Sequence, residues 1–546
     1  MKTVVAGALG ECVHVAGVVN FLRLAEAAGW RTVFLGPAVP IEEFLAAVRR
    51  ERADLVGVSY RLTPETGERL LGRFAEEADE LRAAGVRFAF GGTPPLAERA
   101  RSMGFFERTF EGGEPQEAVL AFLRGQPLDA LAESDFPQTT VARIEWKAPF
   151  PLIRHHFGLP TVEDTRVGIV RIAEAQTLDV ISLGTDQDAQ VNFFHPERQD
   201  PSRRGAGGVP VRSADDFRAL YAASRCGNYP LMRTYSGTDD FLRLAELVVE
   251  TIHNAFCAIP LYWFNQMDGR GLWELEGSIR EHQQVMAWYG ARGIPVELNE
   301  PHHWGMRDAP DVVCVAAAYL SAHNARAHGV HDYIAALMFN SPPGLSPAMD
   351  LAKMLACLEV AAPLARPNFH IWRQVRTGLL SYPLDPTAAR AHLATTIYQQ
   401  MALAPHIVHV VGHTEAHHAA TAEDVIEACG LARRAIENAL SGQPDATADP
   451  AVRARTEELV REAHVLLEGI RMLAPPESGD PLSDPHGLAA AVTRGLLDAP
   501  HLRANRYARG EITTHIDARG ACVAVDHTTG HPITEKQRLA SLGIRL

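Results

Sequence analysis

The stretch Cys12-Val-His14-Val-Ala-Gly17 lies where a short apolar strand, residues 3–9, gives way to a helix predicted over residues 14–28. In open α/β sheets, ligands bind outside the carboxyl ends of the strands. A histidine on this turn projects from that edge, and Gly17 at the start of the helix leaves room for a bulky ligand to approach the backbone. The stretch therefore predicts an α/β domain with a ligand beside His14.

Four more strands are predicted before residue 125, at residues 32–35, 55–59, 87–90 and 107–110. The segments between them carry apolar residues at three- and four-residue spacing, as in residues 44–50, which is typical of helices. Five short strands joined by crossover helices predict a parallel, flavodoxin-like sheet of the Rossmann type. Two of these strands end on small residues, one on Ser59 and one on the pair Gly91-Gly92.

These positions resemble the cobalamin-binding signature D-x-H-x-x-G, S-x-L and G-G, and its counterparts here are Cys12, His14, Gly17, Ser59, Arg61, Leu62, Gly91 and Gly92. In that family the histidine replaces dimethylbenzimidazole as the lower cobalt ligand, so the resemblance implies that His14 binds the cobalt. Imidazole suits cobalt, and its second nitrogen needs a partner that fixes the tautomer. The serine and the glycines accommodate the displaced nucleotide tail.

The match has two departures. Cys12 stands where the family has an aspartate, and because a thiol is a poor acceptor, Glu11, a backbone carbonyl or water could orient His14 instead. Arg61 stands in place of the leucine of S-x-L, with Leu62 beside it. The alternative to a cofactor site is an ordinary doubly wound domain with a chance histidine at a turn.

The composition limits the class of protein. A chain of 546 residues with 47% hydrophobic residues can form two or three domains with substantial cores. The formal net charge of -14 and the lack of a basic stripe argue against nucleic-acid binding. The 7 scattered cysteines contain no CxxC pair, which favours a reducing cytoplasm without disulfides or structural zinc. No apolar run reaches about 18 residues, so neither a membrane span nor a signal peptide is predicted.

From these features we expect a cytoplasmic protein, and its high content of Ala, Arg, Gly and Pro favours a bacterial source. The partners expected are a small-molecule acid substrate and, as a further candidate, a second copy of the chain in a homodimer. Neither nucleic acid nor a membrane is expected.

The chain divides into four predicted segments: a cobalamin-binding domain at residues 1–128, a proline-rich linker at 129–160, a barrel at 161–440 and a helical and irregular extension at 441–546. Strands are predicted in the third segment at residues 180–183, 230–234, 258–263, 295–299, 333–339 and 406–411. Alternation of these strands with helices predicts a TIM (β/α)8 barrel, whose site lies at the carboxyl ends of the strands. Polar residues follow these strands in succession, among them Asp186, Gln190, Arg233, Tyr235, Asn265, Asp268, Glu300 and Glu415.

This second half resembles the catalytic epsilon subunit of glutamate mutase (methylaspartate mutase), most clearly at Gly412-His-Thr-Glu415-Ala and at Gly495-Leu-Leu-Asp-Ala-Pro500. The resemblance implies an adenosylcobalamin-dependent carbon-skeleton isomerase, with the cofactor domain fused in front of the barrel. In such an enzyme the cobalt–carbon bond breaks homolytically, the 5'-deoxyadenosyl radical takes a hydrogen from the substrate, a group migrates, and the hydrogen returns. The cofactor carries this chemistry, while the protein positions the reactants and excludes water.

The family holds its diacid substrate with three arginines, and this sequence has counterparts for two of them. Arg233 matches one arginine, Arg166 matches the first in a looser alignment, and Gln190 stands in place of the middle one. The segment 259–269 lacks the glutamate base of the family, and Val411 replaces a lysine that meets the adenosyl ribose, whereas its acidic partner is retained as Glu415.

A diacid held by three arginines is therefore not expected, because loss of one charged partner costs about 2 kcal/mol or more. We expect a small polar acid other than glutamate. Arg233 would hold a carboxylate or phosphate, Asp186, Asp268 or Glu300 would bind an amine or hydroxyls, and Tyr235 and Asn265 are further substrate-binding candidates.

Two other functions stay open. One is a methylcobalamin-dependent methyltransferase. Such enzymes usually have either a barrel that binds folate or a methyl donor, or a zinc–thiolate site. Because the scattered cysteines argue against zinc, adenosylcobalamin is preferred over methylcobalamin. The other is a non-catalytic cobalamin sensor or carrier. The histidines near Glu300 (His302, His303) and those after the last strand (His413, His417, His418) also suggest metal sites, but we prefer hydrogen bonding to cofactor amides or substrate.

Overall fold

The structure is a computed structural model that describes residues 1–112, 114, 116–125, 132–235, 237 and 239–546, with residues 116 and 117 described by their backbone alone. The chain forms two compact units, Met1–Ala132 and Glu133–Leu546. The predicted boundary at residue 128 lies outside the described residues.

The amino-terminal unit is built on a parallel sheet of five strands in the order β2-β1-β3-β4-β5. Its strands are β1 Thr3–Ala8, β2 Arg31–Phe34, β3 Leu55–Tyr60, β4 Arg87–Gly92 and β5 Arg108–Phe110. Its helices are α1 Ala16–Ala27, α2 Ile41–Glu51, α3 Pro64–Ala83, α4 Pro94–Ser102 and α5 Gln116–Leu123. This strand order confirms the predicted flavodoxin-like sheet.

The chain reverses direction across this sheet between β1 and β3, which is the point where doubly wound folds bind their ligands. Apolar residues on the strands pack against the helices, with Phe74 in edge contact with the rings of Phe44, Phe88 and Phe105. This buried core fixes the carboxyl ends of β1 and β3 side by side.

The second unit is a parallel barrel of eight strands in the described residues. Its strands are β6 Leu152–Phe157, β7 Val180–Leu183, β8 Leu231–Arg233, β9 Cys257–Ile259, β10 Val296–Leu298, β11 Asp332–Phe339, β12 His370–Thr377 and β13 Ile407–Val410. Consecutive strands are neighbours, β13 pairs with β6, and a bridge between Tyr235 and Ala258 joins β8 to β9. This closure confirms the predicted (β/α)8 barrel.

The helices of the second unit before residue 441 are α6 Thr140–Lys147, α7 Val162–Ala175, α8 Gln187–Val191, α9 Ala214–Ala223, α10 Phe241–Ile252, α11 Leu275–Gly290, α12 Glu300–Gly305, α13 Asp311–Ala327, α14 Pro347–Ala361, α15 Pro386–Gln400 and α16 Ala422–Leu440. The rest of the chain forms α17 Pro450–Arg471, α18 Pro485–Thr493, the hairpin β14 Thr513–Ile516 with β15 Cys522–Val525, and α19 Glu535–Ser541. Helix α17 packs on α13 and α14, so this extension belongs to the same compact unit. Within the described residues, no helix combines the length and apolar character needed to cross a membrane.

The structure differs from the sequence prediction at two barrel strands. The stretch predicted as a linker, 129–160, contains helix α6 and the first barrel strand, β6. Strand β12 was not predicted at all. Both strands carry charged or polar residues on the side that faces the barrel interior, such as Arg154 and Gln374, so neither forms the apolar run by which buried parallel strands are recognised.

The amino end of the barrel interior is closed by apolar side chains. The first residues of several strands meet there with Ile144 of α6, and the cluster consists of Ile144, Leu152, Val180, Leu231, Ala255, Phe256, Ile334 and Ile407. Since this end is filled, a ligand can enter the barrel interior only from the carboxyl ends of the strands.

We predict that Ile334→Ala lowers the free energy of unfolding by about 2 to 5 kcal/mol, because Ile334 is fully buried and its removal leaves a cavity in this cluster. Thermal and denaturant unfolding measure the loss. The exposed Leu272→Ala is the matched control and should change stability little. Equal effects of the two substitutions would contradict the packing described here.

Candidate functional site

The turn after β1 is held by backbone hydrogen bonds that leave its outer residues free to meet a ligand. The amide of Leu9 donates to the carbonyl of Ser59 at 2.9 Å, and the amide of Gly10 donates to Val39 at 2.9 Å. Gly10 has a φ of +62°, and a Cβ there would lie 2.8 Å from a methyl group of Leu70. Glycine is therefore required at the point where the chain leaves the strand.

His14 is exposed on this turn, and Cys12 is buried beneath it. The Cys12 sulfur lies 4.0 Å from Nδ1 of His14 and accepts a hydrogen bond from the amide of Arg61 at 3.3 Å. Cys12 thus occupies the position from which the aspartate of the signature would orient the imidazole. Because Nδ1 faces Cys12, Nε2 is the nitrogen available to a metal.

The other predicted cofactor residues lie along the same sheet edge. Ser59 pairs in register with Ala8 on one side and with Gly91 on the other. A Cβ at Gly17 or at Gly91 would meet nothing within 4 Å, so both glycines border open space. Gly92 differs, because a Cβ there would lie 2.7 Å from the ring of Phe90, and its role is therefore packing.

The side chain of Leu62 is 37% exposed, which leaves it outside the core of the unit. Arg61 takes part through the amide that bonds Cys12, as well as through its exposed side chain. The structure thus brings Cys12, His14, Ser59 and Gly91 to one edge, with Arg61 beside them.

The barrel contains a separate cavity of about 670 Å³ at the carboxyl ends of its strands. Its walls include four arginines, one buried glutamate and several histidines, namely Arg154, Arg233, Arg270, Arg376, Glu297, His156, His302, His303 and His409. A cavity of this size accommodates a small ligand.

The deepest polar layer of the cavity comes from alternate barrel strands. Arg154 donates to Glu297 at 2.5 Å and to Gln374 at 2.7 Å, and Arg233 lies 3.4 Å from the same Glu297 oxygen. Both guanidinium groups lie about 5 Å above the ring of Phe256 in the apolar cluster. Alternate strands usually supply branched apolar residues to such a layer, so charged residues here indicate a role other than packing.

Electrostatics in this layer favour an anion. Burial would raise the pKa of Glu297, but Arg154 and Arg233 outweigh it and lower that pKa to about 2. Burial, assisted by Arg233, lowers the pKa of Arg154 to about 9. Nε and Nη1 of Arg233 have no hydrogen-bond partner among the described residues. The Glu297 carboxylate thus faces two guanidinium groups. The two unpartnered nitrogens of Arg233 can donate hydrogen bonds to a ligand.

Above this layer the cavity wall carries Arg376 and neutral histidines. The hydroxyl of Tyr235 lies 3.2 Å from Nε2 of His156, and the two rings stack with centroids 5.4 Å apart. Burial, together with Arg154, holds the pKa of His156 and that of His409 well below the usual value. Arg376, whose pKa burial lowers, is a third cation in this wall.

Asp186 and Asp268, predicted to bind a substrate amine, are engaged in contacts within their own loops. Asp186 caps α8, and both its oxygens accept from Arg212. Asp268 pairs with Arg270 and accepts the amides of neighbouring loop residues. Neither side chain lines the cavity, because its oxygens accept hydrogen bonds from groups of its own loop.

Glu300 is fully buried outside the cavity wall. One of its oxygens accepts the amide of Tyr262 at 3.0 Å, and burial raises its pKa to about 8. Its predicted amine-binding role stays a prediction, and the carboxyl is engaged by the Tyr262 amide outside the cavity wall.

The remaining predicted residues divide in two. Arg233, Tyr235, Gln190 and Glu415 line the cavity. Arg166 and Asn265 do not.

Arg166 is exposed on α7 and pairs with Glu163. Its match to a substrate arginine of the family stays a prediction. Asn265 is buried and donates to Tyr262 and to Ser278, so it holds the loop in place.

The histidines suggested as metal ligands do not form such a site. His417 bonds the carbonyl of Leu384, and His418 lies 3.2 Å from Asp424. Among the described residues, three metal-binding groups lie within 4.8 Å of one another only at His195, Asp239 and Asp240, which belong to neither predicted set.

Arg154, Glu297, Arg376, His156 and His409 were not predicted from the sequence. A signal did exist, since polar residues recur at every second position within each strand, at Arg154 and His156 in β6 and at Gln374 and Arg376 in β12. In a barrel, such alternation places the polar residues on one face of the strand.

We predict that Glu297→Gln destabilises the chain by about 3 to 5 kcal/mol, because two buried guanidinium groups lose their counter-charge. Thermal unfolding measures the loss, and added sulfate should reverse part of it by replacing the carboxylate. The control Glu163→Gln removes an exposed pair and should cost little. Equal recovery in sodium chloride at matched ionic strength would contradict an anion site here.

We predict that Glu300→Gln stabilises the chain increasingly as the pH rises from about 5 to about 8. In that window the folded chain keeps a proton on Glu300 that the unfolded chain releases, so stability of the unsubstituted chain falls with rising pH. Glutamine removes this dependence and still accepts the Tyr262 amide. The melting temperatures of both chains across this range test the prediction, and parallel curves would refute it.

The chain was compared with known proteins and solved structures. Residues 2–120 match the family model of the B12 binding domain. A novel cobalamin-binding protein from Desulfitobacterium hafniense DCB-2 shares 22% identity over 22% of this chain and 58% of its own, with a TM-score of 0.20. The methanol:cobalamin methyltransferase complex MtaBC from Methanosarcina barkeri shares 25% identity over 23% of this chain and 47% of its own, also with a TM-score of 0.20.

The BexX/CysO complex from Amycolatopsis orientalis shares 10% identity over 54% of this chain and 93% of its own, with a TM-score of 0.31. This chain therefore spans about half the length of the two cobalamin proteins, and the low TM-scores indicate neither a shared function nor a shared overall structure. The family model and the strand order agree that the amino-terminal unit contains a B12-binding domain.

Proposed function

We propose that the chain is an adenosylcobalamin-dependent isomerase that rearranges the carbon skeleton of a small anionic acid, similar in kind to glutamate mutase but with another substrate. The observation that carries this proposal is the cationic cavity of the barrel, with Arg154, Arg233 and Arg376 in its wall, in one chain with a B12-binding domain. The resemblance around Glu415 supports the same family.

The amino-terminal edge fits cobalamin. His14 offers an exposed imidazole with Nε2 available, and the Cys12 sulfur lies beside Nδ1. The open space beside Gly17 and Gly91 suits the nucleotide tail of the cofactor. Because a thiol accepts hydrogen bonds more weakly than a carboxylate, His14 is a less basic ligand here than with the family's aspartate.

Adenosylcobalamin, when bound, supplies a weak cobalt–carbon bond as the source of radical chemistry. The protein's part is to hold and shield the acid. Arg233, with two unpaired donors, and Arg376 would bind a carboxylate by bidentate hydrogen bonds. The pair formed by His156 and Tyr235 would orient a neutral polar group of the substrate. The closed apolar end of the barrel keeps water away from below.

A methylcobalamin-dependent methyltransferase is the second candidate, because a corrinoid domain beside a barrel serves that chemistry as well. The cysteines speak against a zinc–thiolate form, since in the part of the chain that the structure describes no cysteine belongs to a group of three metal-binding side chains. A non-catalytic carrier would need no ligand cavity, which makes the cationic cavity an argument for an enzyme.

We predict that His14→Ala weakens cobalamin binding by tenfold or more and abolishes the spectrum of a base-off, histidine-ligated corrinoid. The spectrum is recorded with adenosylcobalamin and with methylcobalamin. Val13→Ala, at the exposed neighbouring position, is the control and should keep both affinity and spectrum. Unchanged spectra in His14→Ala would refute the role of this histidine.

The isomerase is tested by electron spin resonance of the full chain with adenosylcobalamin and trial acids. A substrate-dependent radical signal, lost in Arg233→Met but kept in Arg166→Met, is the expected result. Methyl transfer from methylcobalamin without any radical signal would replace the isomerase with the methyltransferase.

A further inference from the structure

The acids at the carboxyl end of the barrel are already engaged within the chain. Asp188 pairs with Arg203, and Glu297 is shared by Arg154 and Arg233. Asp186 and Asp268 pair with arginines of their own loops, and Glu300 binds a backbone amide. Among the described residues of the cavity wall, Glu415 is the one acid outside these pairs, and it lies at the exposed rim.

The inner wall offers a different set of groups. Nδ1 and Nε2 of His409 have no hydrogen-bond partner among the described residues, and the same holds for Oδ1 of Asn299. His156 and Tyr235 add a hydroxyl and an imidazole. A neutral imidazole has one donor and one acceptor, and the Asn299 oxygen is an acceptor, so this wall suits hydroxyl or carbonyl groups.

In the inner part of this cavity an ammonium group would meet the guanidinium groups of Arg154, Arg233 and Arg376. The carboxylate there is that of Glu297, which Arg154 and Arg233 already share, whereas Glu415 lies at the rim. Like charges at a few ångströms repel strongly where water is excluded. We propose that the cavity selects an acid without an ammonium group, of the hydroxy- or oxo-acid class, and rejects the α-amino acid of the same carbon skeleton. This inference rests on the proposed function, whose substrate it narrows.

The test measures binding, by titration calorimetry, of matched pairs that differ only in ammonium against hydroxyl. The pairs are 2-hydroxyglutarate with glutamate, malate with aspartate, and lactate with alanine. The full chain is loaded with hydroxocobalamin, which binds without supplying an adenosyl group, so binding is measured without turnover. At least one hydroxy acid should bind about tenfold or more tightly than its amino acid.

A substitution at Asn299 tests the electrostatic cause. Asn299→Asp adds a carboxylate of the same shape to the wall and should reduce the preference for the hydroxy acid by about tenfold. Asn368→Asp adds the same charge at an exposed position outside the cavity wall, so it is the control and should leave the preference unchanged. Retention of the full preference in Asn299→Asp would overturn the assigned cause.

Equal or tighter binding of every amino acid would overturn the inference. So would the failure of all the hydroxy acids to bind at about 10 mM, because the cavity would then not be a carboxylate site. Failure of the proposed isomerase would look different. In that case hydroxy acids would still bind more tightly than amino acids, but no radical signal would appear with adenosylcobalamin.

Discussion

The carboxylate of Glu297, shared by Arg154 and Arg233, determines the character of the barrel interior. Removing three charged groups from water costs several kcal/mol for each, and attraction among them offsets that cost only in close geometry. The apolar cluster below, with Phe256 under both guanidinium groups, keeps the layer dry and makes this attraction strong. This layer therefore keeps a surplus of positive charge, and Glu415 at the rim is the one further acid in the described part of the wall.

That surplus explains why the acids around the cavity are engaged elsewhere. Asp186 caps a helix and binds Arg212, and Asp268 closes a loop on Arg270. Each loop thereby balances its own charge, and the positive charge of the interior stays available. Few carboxylates therefore face the cavity, and its positive potential can attract an anion.

The amino-terminal edge follows a different principle. There the backbone, through Gly10 and the bond from Leu9 to Ser59, sets the turn, and the buried Cys12 sits under the exposed His14. Of the side chains that would meet a cofactor, His14 and Arg61 are exposed and Ser59 is buried, and the geometry comes from the sheet. For this reason a short signature in the sequence is enough to locate the edge.

Apolar periodicity, a local signal, was enough to predict the doubly wound first unit and six of the barrel strands from the amino-acid sequence. The sequence also indicated Arg233, Tyr235 and Gln190 as residues at strand ends. It did not determine the strands with polar inner faces, nor Arg154, Glu297 and Arg376, which are far apart in the chain. Which charges meet is visible only in the folded barrel, because closure brings together buried charges from strands that lie far apart in the chain.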